Sequence, residues 1–344
     1  MFSSLLVRRL AAECGFELAG VAEAVPVPES RYYRVWVAAG MAGEMGYLKD
    51  KRADMRLDPR SLLPSARSVI SVGKLYNTDQ PYSTHAATDD RGWVSRYAWG
   101  DDYHDVLRSG LERLIGRLKA ELEAPFDWKI CVDTAPLLER AYARWAGLGW
   151  IGKNTCLINQ GMGSWFFLGE LLTSLEIAPD APPPDRCGTC TRCIDACPTQ
   201  AIVPVESGEG PGWALDSRRC ISYFTIEHRG GIPEAFRAEV GAQVFGCDIC
   251  QDVCPWNRKA AVTPEPAFGP HHMSPPLEEL ASLTEEEFRV RFLRTPVTRA
   301  KYAGFLRNVA VAMGNSGQAK FRDALERLAG SSDPEVAGHA RWAL

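Results

Sequence analysis

No run in this chain approaches the ~20 consecutive apolar residues that a membrane helix needs, so no membrane span is expected. Charge of one sign is missing too: 39 Lys and Arg stand against 43 Asp and Glu, and the net of −4 gives no overall argument for a nucleic-acid partner. Behind Arg8-Arg9, Glu13 and Glu17 interrupt any hydrophobic stretch, so no twin-arginine export signal is read and a cytoplasmic location is expected. A complete phosphate-binding P-loop is also lacking. Gly147-Leu-Gly-Trp-Ile-Gly152-Lys153-Asn154 comes close, but Asn154 stands where Ser or Thr would hold magnesium. The segment also follows a predicted helix instead of a strand, which argues against nucleotide hydrolysis. Its glycines, with Lys153, Asn154 and Thr155, can still grip another polar group that bears phosphate.

What the chain does hold is cysteine: eleven residues, eight of them in one pattern. The first run, Cys187-Gly-Thr-Cys190-Thr-Arg-Cys193-Ile-Asp-Ala-Cys197-Pro198, is the C-x2-C-x2-C-x3-C-P signature of cubane iron–sulfur proteins. The second is Cys247-Asp-Ile-Cys250-Gln-Asp-Val-Cys254-Pro255, with Cys220 alone between the runs. Eight thiolates are what two 4Fe–4S clusters require. Crossing the fourth ligand of each run assigns Cys187, Cys190, Cys193 and Cys254 to one cluster. Cys197, Cys220, Cys247 and Cys250 then serve the other. Zinc ribbons also use C-x2-C pairs, but the doubled run with two Cys-Pro ends favours clusters. Disulfides explain the same residues less well, because iron ligands must stay reduced. Cys14, Cys131 and Cys156 sit among apolar neighbours and are expected to be ordinary buried thiols.

At 344 residues the chain has room for two or three domains, and 46% hydrophobic residues suffice for a sizeable core. Proline-rich breaks at 179–184 and 264–276 divide it into 1–178, 179–262 and 277–344. The first region alternates strand-like and helix-like segments. Residues 5–14 have helical spacing with a stop at Gly15, and 68–73 and 128–133 read as strands. Pro136 opens a helix that stops at Gly147. The tail reads as short helices over 302–313, 319–328 and 334–344, similar to a HEAT-type repeat.

Several residues within this frame are candidates for chemistry. Asp133, at a predicted strand end, can either cap the next helix or act on a substrate. Asp102-Tyr-His104-x-x-Leu107 nearly spells the D-x-H-x-x-G by which some cobalamin enzymes offer a histidine to cobalt, with Leu107 in place of glycine. Arg56 and Arg96 read otherwise as surface ion-pair formers. From 289 to 307 run Arg289, Arg291, Arg294, Arg299, Lys301 and Arg307 without an acidic residue, which favours an anionic partner.

Taken together, Arg96-Tyr-Ala-Trp-Gly, Val132-Asp133-Thr-Ala-Pro136-Leu-Leu-Glu-Arg, Gly149-Trp-Ile-Gly-Lys-Asn154 and Gly163-Ser164-Trp-Phe-Phe-Leu-Gly169-Glu resemble the epoxyqueuosine reductase family. The cysteine runs and the helical tail extend the resemblance over nearly the whole chain. It implies an α/β (α+β) nitroreductase-like cobalamin-binding domain, a ferredoxin-like dicluster domain and HEAT-like helices that bind tRNA. It also implies base-off cobalamin with no protein histidine on cobalt, and reduction of epoxyqueuosine at the tRNA wobble position. Asp133 would be the proton donor. Arg56, Arg96, Lys153, Asn154, Thr155 and Ser164 would join it around the corrin, and the basic stretch 289–307 would hold tRNA. A low-potential donor of ferredoxin or flavodoxin type and a monomeric state are expected. Corrinoid reductive dehalogenases share this cofactor set but usually carry an export signal and lack the tail. A plain dicluster electron carrier would not need the long first region.

Overall fold

The computed structural model describes residues 2–86, 89–122, 125–205 and 212–344. Its centre is an antiparallel sheet of β1 (Leu18–Glu23), β2 (Ser68–Leu75), β3 (Trp128–Cys131) and β4 (Phe166–Thr173), in the order β1-β2-β4-β3. β2 is buried along its whole length, and its register with β4 runs from Ser68↔Thr173 to Leu75↔Phe166. Such a strand must be apolar on both faces, as Ser-Val-Ile-Ser-Val nearly is. Successive side chains divide between the faces. Ile70, Val72 and Leu171 meet α1 (Ser4–Glu13) and α2 (Tyr103–Leu122), while Val69, Cys131 and Leu172 meet α3 (Glu139–Trp145).

Local chemistry sets the ends of these elements. Ser3 caps α1 by accepting the Leu5 N–H, and Gly15 stops it at φ +92°. The strand expected to reach Asp133 ends at Cys131, because Asp133 turns to φ +49° and leaves the ladder. The helix expected from Pro136 begins at Glu139, since residues 134–137 form tight turns closed by Thr134 N–H to Val132 O and Leu137 N–H to Ala135 O. Gly147, at φ +82°, ends it as expected.

Each cysteine run carries one helical turn, Arg192–Asp195 and Ile249–Asp252, and the two turns pack together. The tail is helical over Tyr302–Ser316, Arg322–Ala329 and Pro334–Ala343. Gly314 lies inside the first of these, and the stop is Gly317 in the left-handed region. One apolar core joins all three stretches of chain: Trp93, Val94 and Trp99 pack with Val244 and Phe245 and with Leu277, Phe292, Phe305 and Val309. The proline-rich breaks are tied down as well. Asp180 accepts the Val21 N–H and the Ser4 hydroxyl, and Phe268 enters the core beside Phe167. Among the described residues no helix is long and apolar enough to cross a membrane.

Candidate active site

A cavity of about 790 Å³ opens between the sheet region and the second cysteine group. Asp133, Thr134, Asn154 and Thr155 line it together with Cys197, Cys220, Cys247 and Cys250. A second cavity, of about 220 Å³, is lined by Cys187, Cys190, Cys193 and Cys254. The eight thiols therefore gather in the two crossed groups that their spacing suggested. Their mutual influence repeats the division. Burial pushes Cys193 and Cys254 each up to about 11, helped at Cys193 by Cys254 and Cys187, and at Cys254 by Cys156 and then by Cys187 and Cys190. Cys247 is raised by burial and then by Cys220 and Cys197. Among the described residues no three His, Cys, Asp or Glu side chains converge on a single metal ion. A cubane does not ask for that, because each of its ligands holds a different iron corner.

The second cysteine group is anchored to residues 93–96. Buried Asp248 accepts the Arg96 backbone N–H at 2.7 Å and the Ser95 hydroxyl. Lys153 serves the first group: its ammonium donates to Gly188 O at 2.7 Å and Cys190 O at 2.9 Å. Committed to those carbonyls, it caps a cysteine loop and leaves no P-loop lysine.

Asp133 faces the cavity with 47% of its side-chain surface accessible. Its Oδ2 lies 3.5 Å from His104 Nε2, and His104 Nδ1 lies 2.6 Å from Asp102 Oδ1. Asp102 and then Asp133 raise His104 to about 9, against the opposing effect of burial. Burial alone would raise Asp133, but the imidazole of His104 3.5 Å away, with Arg299 behind it, brings it below its ordinary value. At neutral pH the proton of this pair therefore rests on His104. Asp133 is no helix cap, since α3 begins six residues later and Asp133 gives its own N–H to Glu139 Oε1 at 2.6 Å.

The structure brings some expected residues to the large cavity and not others. Arg56, Asp133, Asn154 and Thr155 line it, although the Arg56 guanidinium is engaged by Tyr47 O and Arg52 O. Arg96, Lys153 and Ser164 do not. Arg96 is buried, donates to Thr78, Gln80 and Pro81 carbonyls, and lies over Trp99 and Trp165. Ser164 is locked to Asn257 and Gln251. Cys156 is no ordinary buried thiol: it is half-buried and lines the cavity.

The basic stretch is also rearranged in space. Arg307 is 1% exposed, and its guanidinium holds Phe224 O, His228 O, Gly230 O and Asn308 Oδ1, so it cannot meet a partner. Arg299 lines the cavity, pairs with Glu227 at 2.6 Å and lies over Tyr47. Arg291 pairs with Glu279 and Arg294 with Asp105. Arg289, Arg294 and Lys301 remain exposed.

Sequence reasoning missed the cavity tyrosines, Tyr97 and Tyr103 among them, and two carboxylates, Glu139 on the cavity and the buried Glu170. Glu170 had a legible signal: it is the one charge in the otherwise apolar strand Phe166-Phe-Leu-Gly-Glu-Leu-Leu.

A family model described as Epoxyqueuosine reductase QueG, DUF1730, matches residues 56–134, and one for a 4Fe-4S double cluster binding domain matches residues 186–257. The epoxyqueuosine reductase of Xanthomonas campestris is 43% identical over 343 residues, which span 98% of this chain and 94% of that protein. That of Pseudomonas aeruginosa is 42% identical over 337 residues, 96% of this chain and 91% of its own. A solved epoxyqueuosine reductase with an epoxyqueuosine-modified tRNA-Tyr stem loop matches with a TM-score of 0.87 at 30% identity, covering 98% of this chain and 88% of the other. The Bacillus subtilis enzyme, solved with its catalytic aspartate loop swung out of the active site, matches at 0.85 with 30% identity over the same shares. With relatives this similar along nearly the full length of both chains, this chain belongs to the epoxyqueuosine reductase family.

Proposed function

We propose that this chain reduces epoxyqueuosine in tRNA to queuosine, with cobalamin in the large cavity and 4Fe–4S clusters on the two cysteine groups. The observation that carries this reading is the cavity itself, which is lined by Asp133, with the proton-holding His104 3.5 Å behind it, and by four cysteines. Its volume of about 790 Å³ lies in the upper part of the range for cofactor pockets. Cobalamin, when bound, supplies strongly reducing cobalt chemistry for cleaving the C–O bond, and the clusters supply its electrons singly. Arg56, Asn154 and Thr155 are the residues we assign to hold the corrin. His104 has one ring nitrogen on Asp102 and the other towards Asp133, so it would serve as a proton group and not as a metal ligand.

Turning an epoxide into an alkene and water consumes two electrons and two protons. Asp133 and His104 stand where one of the protons is needed. His104 holds the proton and passes it through the Asp133 carboxylate to the departing oxygen, Asp102 stabilises the imidazolium from behind, and the second proton comes from solvent. A catalytic aspartate on a loop, as in the Bacillus subtilis relative, supports this role. Exposed Arg289, Arg294 and Lys301 would hold the phosphates of an anticodon stem–loop, in keeping with the stem-loop complex of the solved relative. In this reading 1–178 is the nitroreductase-like corrin-binding unit, 179–262 the ferredoxin-like dicluster unit and 277–344 the HEAT-like, tRNA-facing unit.

Single-turnover reduction of an epoxyqueuosine stem–loop by Asp133→Asn tests the proposal. We expect a loss of about 10²–10⁴-fold with the cobalt and iron spectra unchanged. Parental turnover would remove Asp133 from the reaction.

A further inference from the structure

Below α3 lies a pair of carboxyl groups that the reaction above does not use. Glu170, in the middle of β4, is fully buried. It stands opposite Ser71 on β2 and Cys131 on β3, so the three side chains share one sheet face. That is the face of Cys131, Val69 and Leu172, against which Ala141 and Tyr142 of α3 pack. Among the described residues neither Glu170 oxygen has a hydrogen-bond partner, and Ser71 Oγ has none either. The charged group that acts on Glu170 is Glu139, the first residue of α3, the helix packed on this sheet face.

Two carboxylates cannot both stay charged in such a place. Burial, then the charge of Asp133, raises Glu139; burial, then Glu139, raises Glu170. Arg140 and His104 act on Glu139 in the opposite direction, less strongly. The pair therefore keeps a proton at neutral pH, and this lets a carboxyl group sit beside Asp133 without repelling it. Glu139 Oε1 accepts the Asp133 backbone N–H at 2.6 Å. Asp133 is also one of the few non-glycine residues with positive φ, a conformation that persists only when its surroundings hold it.

We propose that Glu139, half-buried at the cavity edge, and the fully buried Glu170 form a positioning latch, in which Glu170 fixes Glu139 and Glu139 grips the Asp133 backbone, keeping that carboxyl aimed at the cavity beside His104. The inference rests on the reading of Asp133 as proton donor. It assigns Glu139 and Glu170 no contact with the reacting atoms. It also explains a carboxyl group in an apolar strand, where a hydrophobic side chain of similar volume would serve the fold equally well or better.

The test compares Glu139→Gln, Glu139→Leu and Glu170→Leu in the full, cofactor-loaded chain by melting, by hydrogen exchange at the Asp133 amide, and by kcat and KM. Glu139→Gln retains an acceptor and should keep the amide protected and most of the turnover. Glu139→Leu should exchange faster and lose up to about 10²-fold in kcat at unchanged KM, the scale of a misplacement near 1 Å. Glu170→Leu should show the same two losses while melting at or above the parental temperature, whereas a merely structural role would lower melting and leave kcat alone. Parental exchange and kcat in both leucine variants, or Glu139→Gln falling as far as Glu139→Leu, would overturn the latch. Should Glu139→Leu not fold, Glu170→Leu decides. Full turnover by Asp133→Asn would sink the proton-donor reading, and the exchange measurements would still report on the latch.

Discussion

The protonation of His104 governs proton delivery, and it can be measured apart from turnover. Asp102, 2.6 Å from Nδ1, and Asp133, 3.5 Å from Nε2, raise its pKa from the ordinary 6.5 to about 9. A raised histidine stabilises the fold fully below the unfolded value of 6.5, progressively less as pH climbs, and not at all above about 9. A rise of that size sets a ceiling of about 3.4 kcal/mol. His104 and its two partners are 32%, 33% and 47% accessible, so solvent screening reduces the contribution to about 1–2 kcal/mol. The perturbation is Asp102→Asn, which removes the largest cause. Ring-labelled histidine spectra of the full chain between pH 5 and pH 10 give the titration directly, with denaturant midpoints over the same range. His104 of the parent should titrate above pH 8, and that of Asp102→Asn at least one pH unit lower. The parent should also lose more stability than the variant between pH 6 and pH 10. Turnover should fall in the parent as pH passes about 9. A parental titration near 6.5, or identical curves for the two proteins, would refute the assignment of the proton to His104.

Changing Cys220 to Ser should remove one cluster and leave the other, because Cys220 lines only the larger cavity; unchanged iron per protein would exclude it as a ligand. Arg307→Ala should destabilise the fold by about 3–5 kcal/mol, since it strips a charge-assisted donor from buried carbonyls and leaves a void, and denaturant melts would report it. By contrast, reversing Arg289, Arg294 and Lys301 to Glu should leave stability near parental and reduce both tRNA affinity and its salt slope. Equal salt slopes and affinities for that variant and the parent would show that tRNA docks elsewhere.

The cofactor chemistry was legible in the sequence because it is written in short spacings. The spacing expects close cysteines to wrap one cubane and the fourth to cross to the other, and the structure gathers the thiols in the same two groups of four. Helix stops such as Gly15 and Gly147 were legible for the same reason: a left-handed turn is a local demand. Asp133 could be singled out, but its company could not. His104, Glu139 and Arg299 reach it from two helices and a distant loop, and the sum of their charges with burial decides where the proton rests. Long basic side chains misled most. Arg96, Lys153 and Arg307 read alike as donors for an anion, yet each spends its hydrogen bonds on buried or loop carbonyls brought close only by folding. Six positive charges without a negative neighbour held true along the chain and failed in space, where Glu279, Asp105 and Glu227 answer three of them. The sequence by itself determined which atoms can bind iron and where helices must end, because covalent spacing and backbone geometry act over a few residues. Desolvation and ion pairing depend on neighbours from remote parts of the chain, so only the tertiary structure decided which charges are free, which are buried and which of them carries the proton.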